Sequence, residues 1–501
     1  MSKQHFTATH VLISLMLFTA SAYSQKVGVF DNRLDVGKVL HAGSASYNDE
    51  TQQYKLSGSG SNIWFNHDEF SYLYKKLKGD FILQARCSFI GKGVEEHRKF
   101  GWMIRSSLDT SSAMVCTALH GNGLTSLQFR RSTGANVEQD SFTTRLPDVV
   151  ELERKGNRFI MSVAHWGEPY VIKEVSDIDL GDEVYVGLFV CAHNKDIVEQ
   201  GNFSNVRIII PAKENFVAYR EYIGSHIELM NVFDGNRKII HTSPVSLQAP
   251  NWTPDNKYLL YNSNGLIYRF DLRKMTTQVL NTDTVRKNNN DHVLSFDGKM
   301  LGLSSSGGKY NSLVYTVPST GGVPKQITPV GPSYLHGWSP NKKFLVYTAE
   351  RGDGNFDIYK IPSAGGKEIR LTTAAGLDDG PEFSPNGKYI YFNSTRSGMM
   401  QIWRMNADGS NQVQITSDEY NNWFPHISPD GKWMVILSFL KDVKPDDHPF
   451  YKHVYLRLMP VSGGQPKVIA YVYGGQGTIN TPSWSPDSKR IAFVSNSEIK
   501  E

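Results

Sequence analysis

The sequence predicts an all-β chain in two units: a β-sandwich over residues 25–213, and a six-bladed β-propeller over 214–501 closed by pairing of its N- and C-terminal strands. Three observations predict this. A short phrase recurs six times in the second half at a nearly constant interval, its last copy lacks strands that occur ahead of its first, and the first half alternates apolar and polar residues over short runs with no helical period.

The phrase reads Asn251-Trp-Thr-Pro-Asp255, Leu294-Ser-Phe-Asp-Gly298, Gly337-Trp-Ser-Pro-Asn341, Glu382-Phe-Ser-Pro-Asn-Gly387, His426-Ile-Ser-Pro-Asp-Gly431 and Ser483-Trp-Ser-Pro-Asp487. Counted from its Ser or Thr at 253, 295, 339, 384, 428 and 485, the steps are 42, 44, 45, 44 and 57 residues, the period of a four-stranded blade. After each turn comes a β-branched and aromatic run such as Phe344-Leu-Val-Tyr347. A third strand such as Ile402-Trp-Arg-Met405 follows, and past a Gly turn a fourth such as Ile369-Arg-Leu371. The sixth copy carries only two strands; the missing two stand ahead of the ring, as His226-Ile-Glu-Leu-Met230 and Arg237-Lys-Ile-Ile240. Ile239 and Trp484 are therefore expected in one sheet, which leaves no open edge.

Before the ring, Phe81, Leu83, Ala85, Cys87 and Phe89 fall on one face of a strand, as do Phe100, Trp102 and Ile104, Phe159, Met161 and Val163, and Val184, Val186, Leu188 and Val190. Short alternating strands at this spacing predict a sandwich. A polar junction, Pro211-Ala-Lys-Glu-Asn215, separates the units. At the front, Lys3, the apolar run Val11–Phe18 and Ala22-Tyr-Ser24 read as a secretory signal over residues 1–24. The apolar run is too short to span a bilayer, so a periplasmic or secreted protein is expected, with no transmembrane segment after signal removal. All three cysteines, Cys87, Cys116 and Cys191, lie in the first unit without metal-ligand spacing; an exported protein can oxidise two of them and leave one over, and the alternative is that none forms a structural disulfide. A formal charge of +4 over 501 residues, with no long run of Lys or Arg, argues against a nucleic-acid partner.

Two resemblances follow from these residues. Ser59-Gly-Ser-Asn-Ile-Trp64, Phe100-Gly-Trp-Met-Ile-Arg105, Leu127-Gln-Phe-Arg-Arg131 and Val186-Gly-Leu-Phe-Val190 resemble the concanavalin A-like jelly-roll domains, including the laminin-G-like type. The six phrases resemble the TolB-like propellers, relatives of the WD40-like repeat proteins. That resemblance implies a six-bladed ring whose central channel docks partner proteins, although a jelly roll here replaces the small α/β domain of TolB itself.

Functional residues are sought where the repeat breaks. The segments entering the inner strands supply Asp291 and His292, His336, Asp378 and Asp379, and the stretch Asn421, Asn422, Trp423 and His426. The long second-to-third loop of blade five, from Phe439 to His453, adds His448 and Lys452; such loops are usually functional. Three residues before the repeat Ser, four blades carry Pro, whereas blades two and three carry His292 and His336. With Asp379 these form a candidate site for a divalent first-row metal, or an acid/base pair. Trp423 with its amide neighbours reads either as a sugar-binding plate or as a core aromatic plugging the channel.

Three functions come into question, and two of them fit. The first is an exported recognition protein that binds carbohydrate or an envelope protein through the propeller loops and the jelly roll. The second is a carbohydrate-active enzyme, a polysaccharide lyase or glycoside hydrolase, using the His/Asp site; oligogalacturonate lyases resemble it distantly, though with seven blades. A prolyl-oligopeptidase-type peptidase is disfavoured, because no G-x-S-x-G elbow is present.

Overall fold

The computed structural model describes residues 26–499. The leader expected over residues 1–24 lies outside them. Among the described residues every regular element is a β-strand, and none is a helix long and apolar enough to cross a membrane.

The N-terminal unit consists of two seven-stranded antiparallel sheets. In the first, Glu183–Cys191 is central, flanked by Phe70–Lys78 and Lys99–Arg105. In the second, Phe81–Phe89 lies between Val149–Lys155 and Glu199–Ile209. The apolar sets read from the sequence meet in one core: Phe81, Leu83 and Ala85 from the second sheet pack with Trp102, Ile104, Val186 and Leu188 from the first. Period-two alternation places these side chains on one face of each strand, and burying them is the main favourable term for the unit.

The C-terminal unit is a ring of six sheets. Blades one to five are four-stranded and span 248–279, 288–326, 333–370, 378–414 and 421–474. The sixth is closed as expected. Arg490–Asn496 pairs with Ser225–Asn231, which pairs with Arg237–Ser243, and a bridge from Trp484 to Ile491 adds the inner position. Ile239 and Trp484 thus stand at opposite edges of one sheet.

The repeated phrase earns its recurrence as a turn lock. In blade one the Thr253 hydroxyl donates to Asp255 Oδ1 and accepts the amide N–H of Tyr258 at 3.0 Å. Ser295, Ser339, Ser384, Ser428 and Ser485 repeat this with the residues two and five positions on. The Ser/Thr and Asp/Asn side chains satisfy backbone groups that the tight turn leaves unpaired.

The two units are joined by a polar and aromatic interface centred on blades five and six. Trp166 Nε1 donates to the Ile469 carbonyl at 3.1 Å, the Tyr471 hydroxyl donates to Glu168 O at 2.6 Å, and the amide of Gln52 pairs both ways with the backbone of Ile239. At its centre Glu228 of the closing blade is buried between Arg207, 2.6 Å away in the N-terminal unit, and Arg237, 2.8 Å away in the next strand. Burial opposes charge on Glu228, but the two guanidinium groups outweigh it and hold the carboxyl well below its usual range.

Candidate functional site

Every inner strand of blades one to five has an interrupted ladder just ahead of the phrase. The breaks fall between Gln248 and Asn251, Asn288 and His292, Leu335 and Gly337, Asp379 and Glu382, and Trp423 and His426. A bulge leaves extra residues unpaired and re-aims their side chains. Here the bulges stand around one cavity of about 1000 Å³. Asn290, Asp291, Tyr334, His336, Asp379 and Phe424 line it from blades two to five. Gln248, Asn262 and Asn288 extend its polar wall, and Asp446, His448 and Phe450 enter from the long loop of blade five.

His336 Nε2 lies 3.2 Å from Asp379 Oδ1. That oxygen also accepts the Thr348 hydroxyl at 2.6 Å and the amide of Gly380 at 2.7 Å. Burial would keep Asp379 neutral, yet the imidazole and these donors hold its pKa down at about 2. Burial likewise opposes charge on His336, and the carboxylates of Asp379 and Asp291 reverse the balance, raising its pKa. For Asp291 burial dominates: its pKa rises to about 6, with His336 opposing the shift and Asp379 adding to it. His448, stacked flat on Trp423 with ring centres 4.5 Å apart, is lowered by burial.

Of the residues expected from sequence, Asp291, His336, Asp379 and His448 meet at this cavity. The others do not, each for a definite reason. His292 was expected to pair with His336, but the bulge of blade two falls one step earlier than that of blade three. His292 therefore stays in the ladder opposite Leu303, fully buried, with Nε2 3.4 Å from the Leu260 carbonyl. The trio of His292, His336 and Asp379 does not assemble as a metal cage; among the described residues, the group of three ligating side chains close enough to share an ion is Glu151, Glu153 and His453. Asp378 and Asp379 point to opposite faces of a strand, and Asp378 pairs with Arg396 at 2.6 Å.

Trp423 is 0% exposed and packs with Val435, Leu437 and Phe439, so it is a core aromatic and offers no plate to a sugar. Asn421 anchors the blade-five loop, donating to the Val443 carbonyl at 2.8 Å. Asn422 Oδ1 is occupied by Ser438 and Arg457. Both ring nitrogens of His426 are engaged, Nδ1 with Glu382 and Nε2 with the Ile479 carbonyl, each at 2.6 Å. Lys452 is exposed and pairs through its backbone with Gly474, away from the cavity wall.

Sequence reasoning missed Tyr219 and Tyr222, which line the cavity from the segment joining the two units. Both pack edge-on against Phe450, with ring centres 5.2 and 5.6 Å apart. A signal was present: Phe216, Tyr219 and Tyr222 recur every third residue in an otherwise polar junction. It pointed to no partner until the blade-five loop was placed beside it.

Comparison with known proteins bears on the ring. A family model described as the TolB beta propeller domain matches residues 336–445. An uncharacterized protein of Agrobacterium fabrum is 44% identical over 271 residues, which are 54% of this chain and 92% of that protein. A solved structure of a candidate TolB from Agrobacterium tumefaciens is 42% identical, with a TM-score of 0.53 over 56% of this chain and all of that one. TolB from Acinetobacter baumannii is 19% identical over 50% of this chain and 64% of its own, with a TM-score of 0.40.

Proposed function

This chain belongs to the TolB-type β-propeller family, and we propose that it acts as a binding protein of the bacterial envelope that takes a carbohydrate in the channel cavity. One observation carries the reading: amide and aromatic side chains from several blades converge on a space of about 1000 Å³. Amides bond hydroxyl groups in both directions and aromatic faces cover the apolar side of a sugar ring, the combination a pyranose requires. Several amide groups are already committed to the frame, as where Asn262 donates to the Asn288 carbonyl. Asn290, buried and with no side-chain hydrogen bond among the described residues, is free to contact a ligand.

The test is a polysaccharide panel measured for binding by calorimetry and for turnover. Binding that is lost in Asn290→Ala, with unfolding unchanged, supports the reading. Binding retained by that variant and by Tyr334→Ala overturns the cavity as the site.

A second reading, acid/base catalysis on the same ligand, is favoured by one observation: Asp291, with a pKa near 6, shares the cavity with a His336 held toward its charged form. A carboxyl brought toward neutrality beside an imidazole is the kind of pair that proton transfer near neutral pH uses. Cleavage of a panel member, abolished by Asp291→Asn, would establish it. We further read the N-terminal pair of sheets as a concanavalin-like jelly roll over residues 25–213, the ring as 214–501, and export to the periplasm or medium as following from the leader.

A further inference from the structure

We infer that the ligand of this cavity carries an ammonium group, as in an amino sugar, and that Asp291 is its counter-ion. The inference rests on the carbohydrate reading and narrows it. Of the four buried carboxylates at the inner strands of blades two to four, three are paired within the protein, Glu382 with His426 at 2.6 Å. Asp378 meets Arg396, and Asp379 meets His336, Thr348 and the amide of Gly380.

Asp291 is different. It is 6% exposed and lines the cavity, and its backbone N–H is satisfied by Asn289 Oδ1 at 3.0 Å, but its carboxylate receives no hydrogen bond and no ion pair among the described residues. Buried carboxylates are normally paired or bonded. The cation available inside, His336, is committed to Asp379.

The surroundings also favour a positive ligand group. Asp379 offsets His336 across their ion pair, so Asp446 adds to Asp291 on the negative side against Lys287, both of them exposed. The rings of Tyr334 and Tyr219 lie close enough to Asp291 to feel its charge, and Tyr222 stands beside Tyr219. A carboxylate and tyrosine rings lining one cavity are groups that can hold an organic ammonium, through charge and through ring quadrupoles. A neutral sugar would leave the carboxylate unpaired, and an acidic sugar would be repelled by it.

The experiment compares a fully deacetylated glucosamine tetrasaccharide with its N-acetylated counterpart, by calorimetry on the full chain at about pH 6.5, in wild type and in Asp291→Asn. The amine form should bind roughly tenfold tighter or better to wild type. The variant should lose that preference while its unfolding midpoint is unchanged or raised. Equal or tighter binding of the N-acetylated form, or a preference for the amine that survives Asp291→Asn, overturns the inference and leaves the carbohydrate reading standing. So does failure of both probes while another saccharide of the panel binds. If no saccharide of the panel binds, both fall.

Discussion

His336 of blade three and Asp379 of blade four meet across a blade boundary, Nε2 to Oδ1 at 3.2 Å, with both residues buried. The raised His336 pKa contributes stability that is complete below the unfolded His value of about 6.5 and is lost as pH rises through the folded value. The depressed Asp379 pKa contributes stability that is complete above the unfolded Asp value of about 3.9 and is lost as pH falls through about 2. The stability difference between wild type and Asp379→Asn, measured by urea unfolding, should therefore be largest between about pH 4 and 6.5, on the order of 3 kcal/mol. It should shrink on both sides. The His336 ring resonances of the variant should titrate at lower pH, because burial then meets less opposition.

Glu228 is enclosed by Arg207, Arg237 and the Ser495 hydroxyl. Glu228→Gln should cost about 3–5 kcal/mol, since it leaves two buried guanidinium groups facing a neutral amide. In wild type the contribution is present above the unfolded Glu pKa of about 4.3 and disappears only at strongly acid pH. Thermal unfolding at about pH 7 and pH 3 reads both effects.

Trp423→Ala should lower stability by about 3–5 kcal/mol, as expected for emptying a core aromatic site. It should also free His448, which loses the ring it stacks on. Ligand binding should weaken only as far as the blade-five loop is displaced; selective loss of binding at unchanged stability would contradict the core assignment.

Removing residues 490–501 deletes the strand that pairs with Ser225–Asn231 and supports Trp484. The ring should then open along an unpaired edge. Size-exclusion chromatography and limited proteolysis should show an expanded or associating ring, because exposed edges template pairing with other chains.

Cys87, Cys116 and Cys191 are free and buried, and burial pushes each thiol above its ordinary pKa, Cys116 to about 12 and Cys191 to about 11. A thiol reagent at neutral pH should label none of the three in the native protein and all three after denaturation, because only thiolate reacts.

The ring was legible in the sequence because its signal is repeated and local. The Ser–Asp turn locks and the strands after them need only neighbours within a few residues, and closure through 226–240 followed from counting strands. The paired sheets of the first unit were legible in their apolar faces, as Phe81, Leu83, Val186 and Leu188 show. The cavity was legible only in part. His336 and Asp379 were found because they interrupt the repeat, whereas His292 was misplaced because the offset of a bulge is set by pairing with the second strand and leaves no composition signature. Trp423 was left between two readings because a core aromatic and a ligand plate look alike until burial is known. Tyr219 and Tyr222 depend on a loop more than two hundred residues away, a contact no local pattern encodes.

Because one strand of the closing sheet comes from near the C-terminus and the strand it pairs with from just after the N-terminal unit, the order of synthesis constrains assembly. A ribosome must release Arg490–Asn496 before Ser225–Asn231 can find its neighbour. Until then the guanidinium groups of Arg207 and Arg237 have only a solvated Glu228 to meet, and the first unit can fold while the ring waits. The strand Arg490–Asn496 is therefore the latch of the ring, the last piece made and the one that shuts it.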